Sequence, residues 1–286
     1  MREKCKDVFV YAFADDLKIL SQDPKNLQKA LDIIQNWSEQ WQLSIQPAKS
    51  EHLCFTFNRN NQDHDPTFFI NNSPIPSRDN VRDLGILLSK NLKWENYISK
   101  ITSKAKTLTY TILRTFQSKD IGTLINLYKT YIRPIMEYNS PIWTPNLIQD
   151  NNRVESVQRY FTRRLCQNNN IKYQDYNHRL QILNLETLKT RRIKQDLILM
   201  YKIYHSLIDI KFSDFFIRHS ASSKYSLRGH DQRLQTQKPS SSSTRNHFFT
   251  NRIVNLWNKL PQEIVDSKTL PIFKTLLNKF NFTRLT

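Results

Sequence analysis

Apolar and polar positions near the start of the chain predict two short strands around an acidic turn. Residues 7–20 read DVFVYAFADDLKIL, in which aromatic and β-branched residues flank Ala14, Asp15 and Asp16. Residues of the first kind favour strands, whereas acidic residues favour turns. We therefore predict a β-hairpin that carries two carboxylates at its tip.

The segment that follows has a helical pattern. Asp23 and Pro24 provide an amino-terminal start, and apolar side chains then recur every three or four residues over 26–43. These side chains are Leu27, Leu31, Ile34, Trp37 and Trp41. Strand-like runs at 52–57, 67–70 and 84–88 are separated by loops rich in Asn, Asp, Pro and Ser. We predict that residues 1–93 form a small α+β unit.

Longer helical periods dominate after Trp94. They cover 97–116, 122–138, 152–166 and 185–207, which predicts a mainly α-helical region over 94–218. Residues 219–246, which include PSSSST, have few apolar anchors and are predicted to form a flexible linker. Helical patterns at 248–260 and 270–280 predict a helical carboxyl-terminal segment over 247–286. The predicted fold class is α+β.

Composition then narrows the possible functions. The 286 residues include only three glycines, so neither a GxGxxG nor a GxxxxGK[ST] phosphate loop can be written. Lys and Arg number 43 against 25 Asp and Glu, which gives a net charge of +18. A charge of this size is typical of a protein with a polyanionic partner. Nucleic acid is the first candidate and an anionic membrane surface is the second.

Cysteines and hydropathy bear on the location of the protein. Cys5, Cys54 and Cys166 are odd in number and widely spaced, which favours neither a disulfide framework nor a zinc site. No apolar run approaches the roughly 20 residues of a membrane span, and acids interrupt the start of the chain where a signal peptide would be apolar. We expect an intracellular protein, nuclear or cytoplasmic, that is neither secreted nor membrane-inserted.

The acidic turn is the leading candidate for chemistry. Asp15 and Asp16 would form a rigid, oxygen-rich projection of the kind that binds Mg²⁺ while leaving it waters and substrate phosphates. The same spacing also occurs in solvated turns that bind nothing. A strongly basic chain without a phosphate loop favours two-metal nucleotidyl transfer, in which carboxylates hold ions about 3.5–4 Å apart.

Five ordered motifs resemble one known family. The sequence FADD at 13–16 resembles the [YF]ADD box of reverse transcriptases. The order of motifs is similar to the polymerase module of LINE-type, non-LTR retrotransposons of the jockey and chicken-repeat kind. The other four are WQLSIQPAKSEHLCF at 41–55, VRDLGILLSKNLKW at 81–94, LYKTYIRPIMEYNSPIW at 127–143 and NRIVNLWNKLP at 251–261. The motif at 81–94 resembles the primer-grip hairpin, and the motif at 127–143 resembles the thumb.

The resemblance implies a partial polymerase palm followed by a helical thumb, with an RNA template, a DNA primer and nucleotides as ligands. It implies that Asp15 binds catalytic Mg²⁺, that Asp16 supports it, and that Lys49 protonates the pyrophosphate leaving group. Lys49 could equally be a surface lysine. Gly85 would allow close approach of a primer strand, or could simply relax a bend in the sheet.

Parts of such a polymerase are expected upstream of the box. In the family, a further metal-binding carboxylate, the fingers and the template-handling region precede it, and no residue over 1–12 matches that strand. We therefore expect a fragment of an RNA-directed DNA polymerase that does not polymerise alone, because both metal geometry and nucleotide positioning would be lost.

A basic nucleic-acid-binding module without catalysis is the alternative. Residues 151–204 contain eleven basic and four acidic residues. Arg159, Arg163 and Arg164 lie about one turn apart beside Tyr160 and Phe161, a strip that could neutralise phosphates. The same strip could be a solvated helix face. The basic residues Arg191 and Arg192 are further candidate contacts.

A protein-interaction surface and a decayed retroelement remnant also remain open. The sequence does not indicate an oligomeric state.

Overall fold

The computed structural model describes residues 7–55, 65–219, 230–236 and 243–282. The chain divides into two compact units, Met1–Trp94 and Glu95–Thr286. The boundary falls where the sequence changes from short strand-like runs to long helical periods.

The first unit opens with the predicted hairpin. Strand β1 (Val8–Phe13) pairs antiparallel with β2 (Asp16–Ser21), and Phe13 lies opposite Asp16. Only Ala14 and Asp15 connect the strands. Ala14 has a φ of 51°, in the left-handed region that a residue with a Cβ seldom adopts.

Helix α1 (Pro24–Gln40) packs against this hairpin. The Asp23 side chain caps the helix by accepting a hydrogen bond from the backbone N–H of Lys25 at 3.0 Å, and Pro24 occupies the first turn, where a missing N–H is harmless. The apolar residues of α1 have two different environments in the structure. Leu27 and Leu31 pack on a small core formed by Phe68, Ile70 and Ile75. The two tryptophans at 37 and 41 are exposed.

Two further hairpins complete the first unit. Strand β3 (Phe69–Ile70) pairs with β4 (Ser73–Pro74). Strand β5 (Asn80–Asp83) pairs with β6 (Ile86–Ser89). The predicted strand at 84–88 thus begins with a turn at Leu84 and Gly85 rather than with extended backbone.

The run predicted as a strand over 52–57 is extended only in part. His52 forms a single parallel bridge with Ser77, and residues 53–55 join no sheet. The end of the predicted strand, 56–57, lies outside the described residues.

The second unit begins with helix α2 (Glu95–Thr115) and helix α3 (Ile121–Leu127), which Asp120 caps. The predicted helix at 122–138 does not continue as one α-helix. A π-helical turn, Tyr128–Ile132, and a 3₁₀ turn, Arg133–Met136, follow α3. Pro134 lies in the 3₁₀ turn, and proline has no N–H to donate to the preceding turn.

Eight further helices follow in the described part of this unit: α4 (Ser140–Trp143), α5 (Ile148–Asn168), α6 (Tyr176–Ile182), α7 (Leu188–Tyr204), α8 (Ser243–His247), α9 (Phe249–Asn258), α10 (Gln262–Val265) and α11 (Leu270–Lys279). The short helices α4, α6, α8 and α10 add to those that the periodicity predicted. A core of apolar residues joins α7, α9 and α11, with Trp257 and Phe273 fully buried.

The predicted flexible linker includes a short segment that packs on this core. Within 230–236, His230 and Leu234 are buried. His230 Nε2 lies 2.9 Å from the carbonyl oxygen of Trp257, and the Trp257 indole N–H donates to the carbonyl of Gln232 at 3.0 Å. This part of 219–246 is therefore ordered by side-chain contacts that the polar composition does not reveal.

No helix in the described ranges is long and apolar enough to cross a lipid bilayer.

Candidate functional site

The acidic pair lies at the tip of the first hairpin. Asp15 occupies the two-residue turn, and Asp16 is the first residue of β2. Both residues are exposed. Because only two residues connect the paired strands, the two carboxylates are carried by a tightly constrained stretch of backbone.

One face of the hairpin is open. Phe9, Tyr11 and Phe13 alternate along β1 and are 57–66% exposed. Directly opposed residues in an antiparallel pair share a face, so Asp16, opposite Phe13, lies on this open face as well. Val8 and Val10 alternate with these residues and are partly buried. The acidic tip therefore continues an open aromatic face.

An ion pair brings a second turn to the same face. Lys18 lies opposite Tyr11, about 7 Å along β2 from Asp16. Its ammonium group pairs with the carboxylate of Asp83, the last residue of β5. The turn that follows Asp83 consists of Leu84 and Gly85. The structure thus places the predicted Gly85 turn on the side of the unit that presents Asp16.

Both residues of that turn have positive φ, 44° for Leu84 and 89° for Gly85. Two central residues with positive φ define the turn type that matches the twist of a two-residue hairpin. Gly85 is therefore needed for the backbone conformation itself, whatever strand approaches it. Close approach of a primer strand to Gly85 stays a prediction.

Lys49 ends a short 3₁₀ turn, Pro47–Lys49, and is exposed. Its backbone N–H donates to the carbonyl of Gln46 at 3.0 Å. Its side chain makes no ion pair with Asp15 or Asp16 among the described residues. A role for Lys49 at the acidic tip remains a prediction.

The donor set limits which metal chemistry the tip can support. Across the described ranges, no three His, Cys, Asp or Glu residues lie close enough together to hold a metal ion among them. Mg²⁺ is commonly held by one or two carboxylates while waters and substrate phosphates complete its shell. Asp15 and Asp16 fit that partial role, and they do not form a complete protein cage.

The arginine strip of α5 faces outward. Val154, Val157, Phe161 and Leu165 point into the core of the second unit. The three arginines Arg159, Arg163 and Arg164 are exposed. The guanidinium carbon of Arg159 lies 4.9 Å from the ring centre of Tyr176.

The other two predicted contacts lie inside the helical unit. Arg191 pairs with Glu137, and this hydrogen bond raises the pKa of the arginine. Arg192 is 1% exposed and donates to Asn151 Oδ1 at 2.8 Å. Burial lowers the pKa of Arg192. Arg192 is therefore enclosed within the unit, whereas the side chain of Arg191 is paired with Glu137 and remains 28% exposed.

Sequence reasoning counted Arg179 among the basic residues of 151–204 but did not single it out as a site residue. It lies on α6 and lines an open recess together with Ser156, Arg159, Tyr160 and Arg163 of α5. The available signal was the spacing of Tyr176 and Arg179, which lie three residues apart and therefore share one side of α6.

Comparison with known proteins shows which family the amino-terminal part of the chain resembles. Residues 1–112 match the family described as "Reverse transcriptase (RNA-dependent DNA polymerase)". This match contains the acidic hairpin, Lys49 and the Gly85 turn.

Two of the curated relatives that the chain resembles are polymerases of mobile elements. The chain is 24% identical over 125 residues, 43% of its length, to the probable RNA-directed DNA polymerase from transposon X-element of Drosophila melanogaster. It is 23% identical over 169 residues, 56% of its length, to the RNA-directed DNA polymerase from mobile element jockey of the same species. An uncharacterized protein of Caenorhabditis elegans is 25% identical over 128 residues. That alignment covers 45% of this chain and 63% of the relative.

The resemblance to reverse transcriptases of non-LTR retrotransposons is therefore confirmed. The chain spans only 13% of the X-element protein and 18% of the jockey protein. No solved structure matches the chain.

Proposed function

We propose that this chain acts as part of an RNA-directed DNA polymerase of the non-LTR retrotransposon type. The observation that carries the proposal is the acidic hairpin, whose two-residue turn presents Asp15 and Asp16 beside an open aromatic face. The reverse transcriptase match over 1–112 supports the same assignment. The partners would be an RNA template and a DNA primer, with nucleotides as the small-molecule ligands.

Each residue has a proposed role at the tip. Asp15 binds catalytic Mg²⁺ and Asp16 supports it, since exposed carboxylates leave room for waters and substrate phosphates. Mg²⁺ bound there would stabilise charge on the transferring phosphoryl group. Lys49 supplies a proton or a positive charge to the departing pyrophosphate. The Gly85 turn, tethered through the Lys18–Asp83 ion pair, offers backbone to the primer strand.

Templated synthesis needs more than this pair. Two-metal transfer places two ions about 3.5–4 Å apart, and such a site uses more carboxylates than the tip provides. The described residues add no third ligand to Asp15 and Asp16. We propose that the chain does not extend a primer on its own.

Primer extension tests this proposal. The purified chain is incubated with an RNA template, a DNA primer, nucleotides and Mg²⁺, beside an Asp15→Asn variant. We expect no templated product from either protein. Robust synthesis that Asp15→Asn abolishes would show that the chain is a complete polymerase, and it would contradict the proposed incompleteness.

A second candidate function rests on α5. The exposed side chains of Arg159, Arg163 and Arg164 favour binding of a nucleic-acid backbone without catalysis. Affinity for an RNA:DNA hybrid should fall steeply with salt, and each arginine removed should reduce the slope of log K against log[salt] by about 1. Affinity that does not change with salt would contradict this function.

A further inference from the structure

A recess on the second unit gathers three guanidinium groups. It has a volume of about 300 Å³ and is lined by Ser156, Arg159, Tyr160, Arg163 and Arg179. Pockets for small ligands begin at roughly this size. The first four residues come from α5, and Arg179 comes from α6.

Arg179 is fixed before any ligand arrives. Its residue is only 6% exposed. Its Nε donates to Thr162 Oγ1 at 2.9 Å, and its Nη2 donates to the carbonyl oxygen of Arg159 at 3.3 Å. The guanidinium carbon lies 4.6 Å from the ring centre of Tyr173 and 5.2 Å from that of Tyr176. A guanidinium held in this way loses little conformational entropy when it binds an anion.

Tyr176 brings two of the arginines together. The guanidinium carbon of Arg159 lies 4.9 Å from the same ring that Arg179 contacts. The phenol donates to Glu155 Oε1 and accepts from Gln158 Nε2, the latter at 2.9 Å. Burial, followed by the charge of Glu155, raises the pKa of Tyr176, so its hydroxyl stays protonated. The ring is therefore a fixed support for both cations.

The positive charge of the recess is not neutralised by a carboxylate. In the part of the chain that the structure describes, Arg159, Arg163 and Arg179 make no ion pair. Glu155 is buried and is occupied by Tyr176 and by the backbone N–H of Leu188. Like charges gathered in one recess repel each other, and an anion would relieve that repulsion.

We propose that this recess binds the terminal phosphate monoester of a nucleic-acid strand. A monoester carries about −1.5 to −2 charges at pH 7, whereas each phosphodiester along a strand carries one. Arginine forks suit phosphate oxygens, and a recess admits a strand end more readily than a continuous strand. This inference rests on the proposed nucleic-acid binding by α5, and it specifies the group that is bound there.

Two RNA:DNA hybrids of identical sequence test the inference. One carries a 5′-phosphate on the DNA strand and the other a 5′-hydroxyl, and binding is measured by fluorescence anisotropy with the full chain. We expect at least about tenfold tighter binding of the phosphorylated hybrid, in line with new charge-assisted hydrogen bonds. Arg163→Gln should reduce that preference to less than about twofold. Arg164→Gln is the matched control, because it removes the same charge from the same helix outside the recess; it should weaken binding of both hybrids equally and preserve the preference.

Inorganic phosphate provides an independent measurement by calorimetry. It should bind the unaltered chain and Arg164→Gln, and bind Arg163→Gln much more weakly. Equal affinity for the two hybrids would overturn the strand-end inference while leaving backbone binding by α5 intact. Binding of inorganic phosphate without binding of either hybrid would overturn both the inference and the proposed nucleic-acid binding, since the recess would then take free phosphate.

Discussion

The ion pair between Arg252 and Asp196 joins α9 to α7, and we predict a large loss of stability when it is broken. Arg252 Nε lies 2.9 Å from Asp196 Oδ2, and Nη2 lies 2.9 Å from Oδ1. The Asp196 side chain is 2% exposed. The guanidinium also donates to the carbonyl oxygens of Pro141 at 2.6 Å and His247 at 3.1 Å. Arg252 lies in the NRIVNLWNKLP motif, so one charged residue of that motif has a structural role.

Replacing Arg252 with methionine leaves the aspartate buried without its partner. Loss of one member of a buried pair costs about 3–5 kcal/mol, which is two to three and a half decades in the folding equilibrium constant. For a unit of roughly 200 residues, each kcal/mol shifts Tm by about 2–4 °C. We therefore expect Arg252→Met to lower Tm by roughly 6–20 °C.

Urea unfolding monitored by circular dichroism measures this loss. Arg164→Met is the control, because an exposed arginine outside any ion pair should change the free energy of unfolding by less than about 0.5 kcal/mol. The double variant Arg252→Met/Asp196→Leu should recover part of the loss, since it removes the unpaired buried charge. A single variant within about 1 kcal/mol of the unaltered chain would refute the reasoning, as would a double variant no more stable than the single one.

Three smaller predictions concern backbone strain and pH. Ala14→Gly should raise the free energy of unfolding by up to about 1 kcal/mol, because glycine adopts positive φ without steric cost. The control Ala12→Gly, within β1, should lower the free energy of unfolding by about 0.5–1 kcal/mol. Urea titration of the two variants measures both changes. Gly85→Ala should lower the same free energy by about 1–2 kcal/mol, measured in the same way, and an unchanged value would contradict the observed φ of 89°. Burial raises the pKa of Asp196 in the folded chain above its ordinary value of 3.8. Proton binding to Asp196 therefore stabilises the folded chain below pH 3.8, and this stabilisation is lost as pH rises through the raised pKa. Urea titrations from pH 3 to 6 should therefore show the unaltered chain losing stability relative to Asp196→Asn as pH rises, and a constant difference would contradict this.

The acidic hairpin could be predicted because its whole pattern lies within one short stretch of sequence. Aromatic and β-branched residues on either side of two acids favour strands and a turn, and helix α1 packs against the hairpin that they form. The conformation of Ala14 could not be predicted in this way. Alanine does not favour positive φ, and the short connection between paired strands imposes it.

The surroundings of individual arginines could not be predicted from the sequence. A count of basic residues treats Arg163 and Arg192 alike, yet Arg163 is exposed on α5 whereas Arg192 is only 1% exposed on the buried side of α7. Which face of a helix is buried can be predicted from apolar periodicity, but α7 buries Arg192, Lys194 and Asp196 together with its apolar residues, so periodicity does not reveal which arginine is buried. The recess around Arg179 depends on packing between α5 and α6, which no local pattern contains.

The central claim is that Asp15 and Asp16 hold a divalent metal at the hairpin tip. Mn²⁺, a paramagnetic substitute for Mg²⁺, can be titrated into the isotopically labelled full chain while backbone amide signals are followed by NMR. We predict selective broadening at residues 14–17, which disappears in Asp15→Asn/Asp16→Asn and persists in Asp79→Asn, a change to an exposed acid of the same unit. Broadening that is absent from the tip, or that the double substitution leaves unchanged, would contradict the claim.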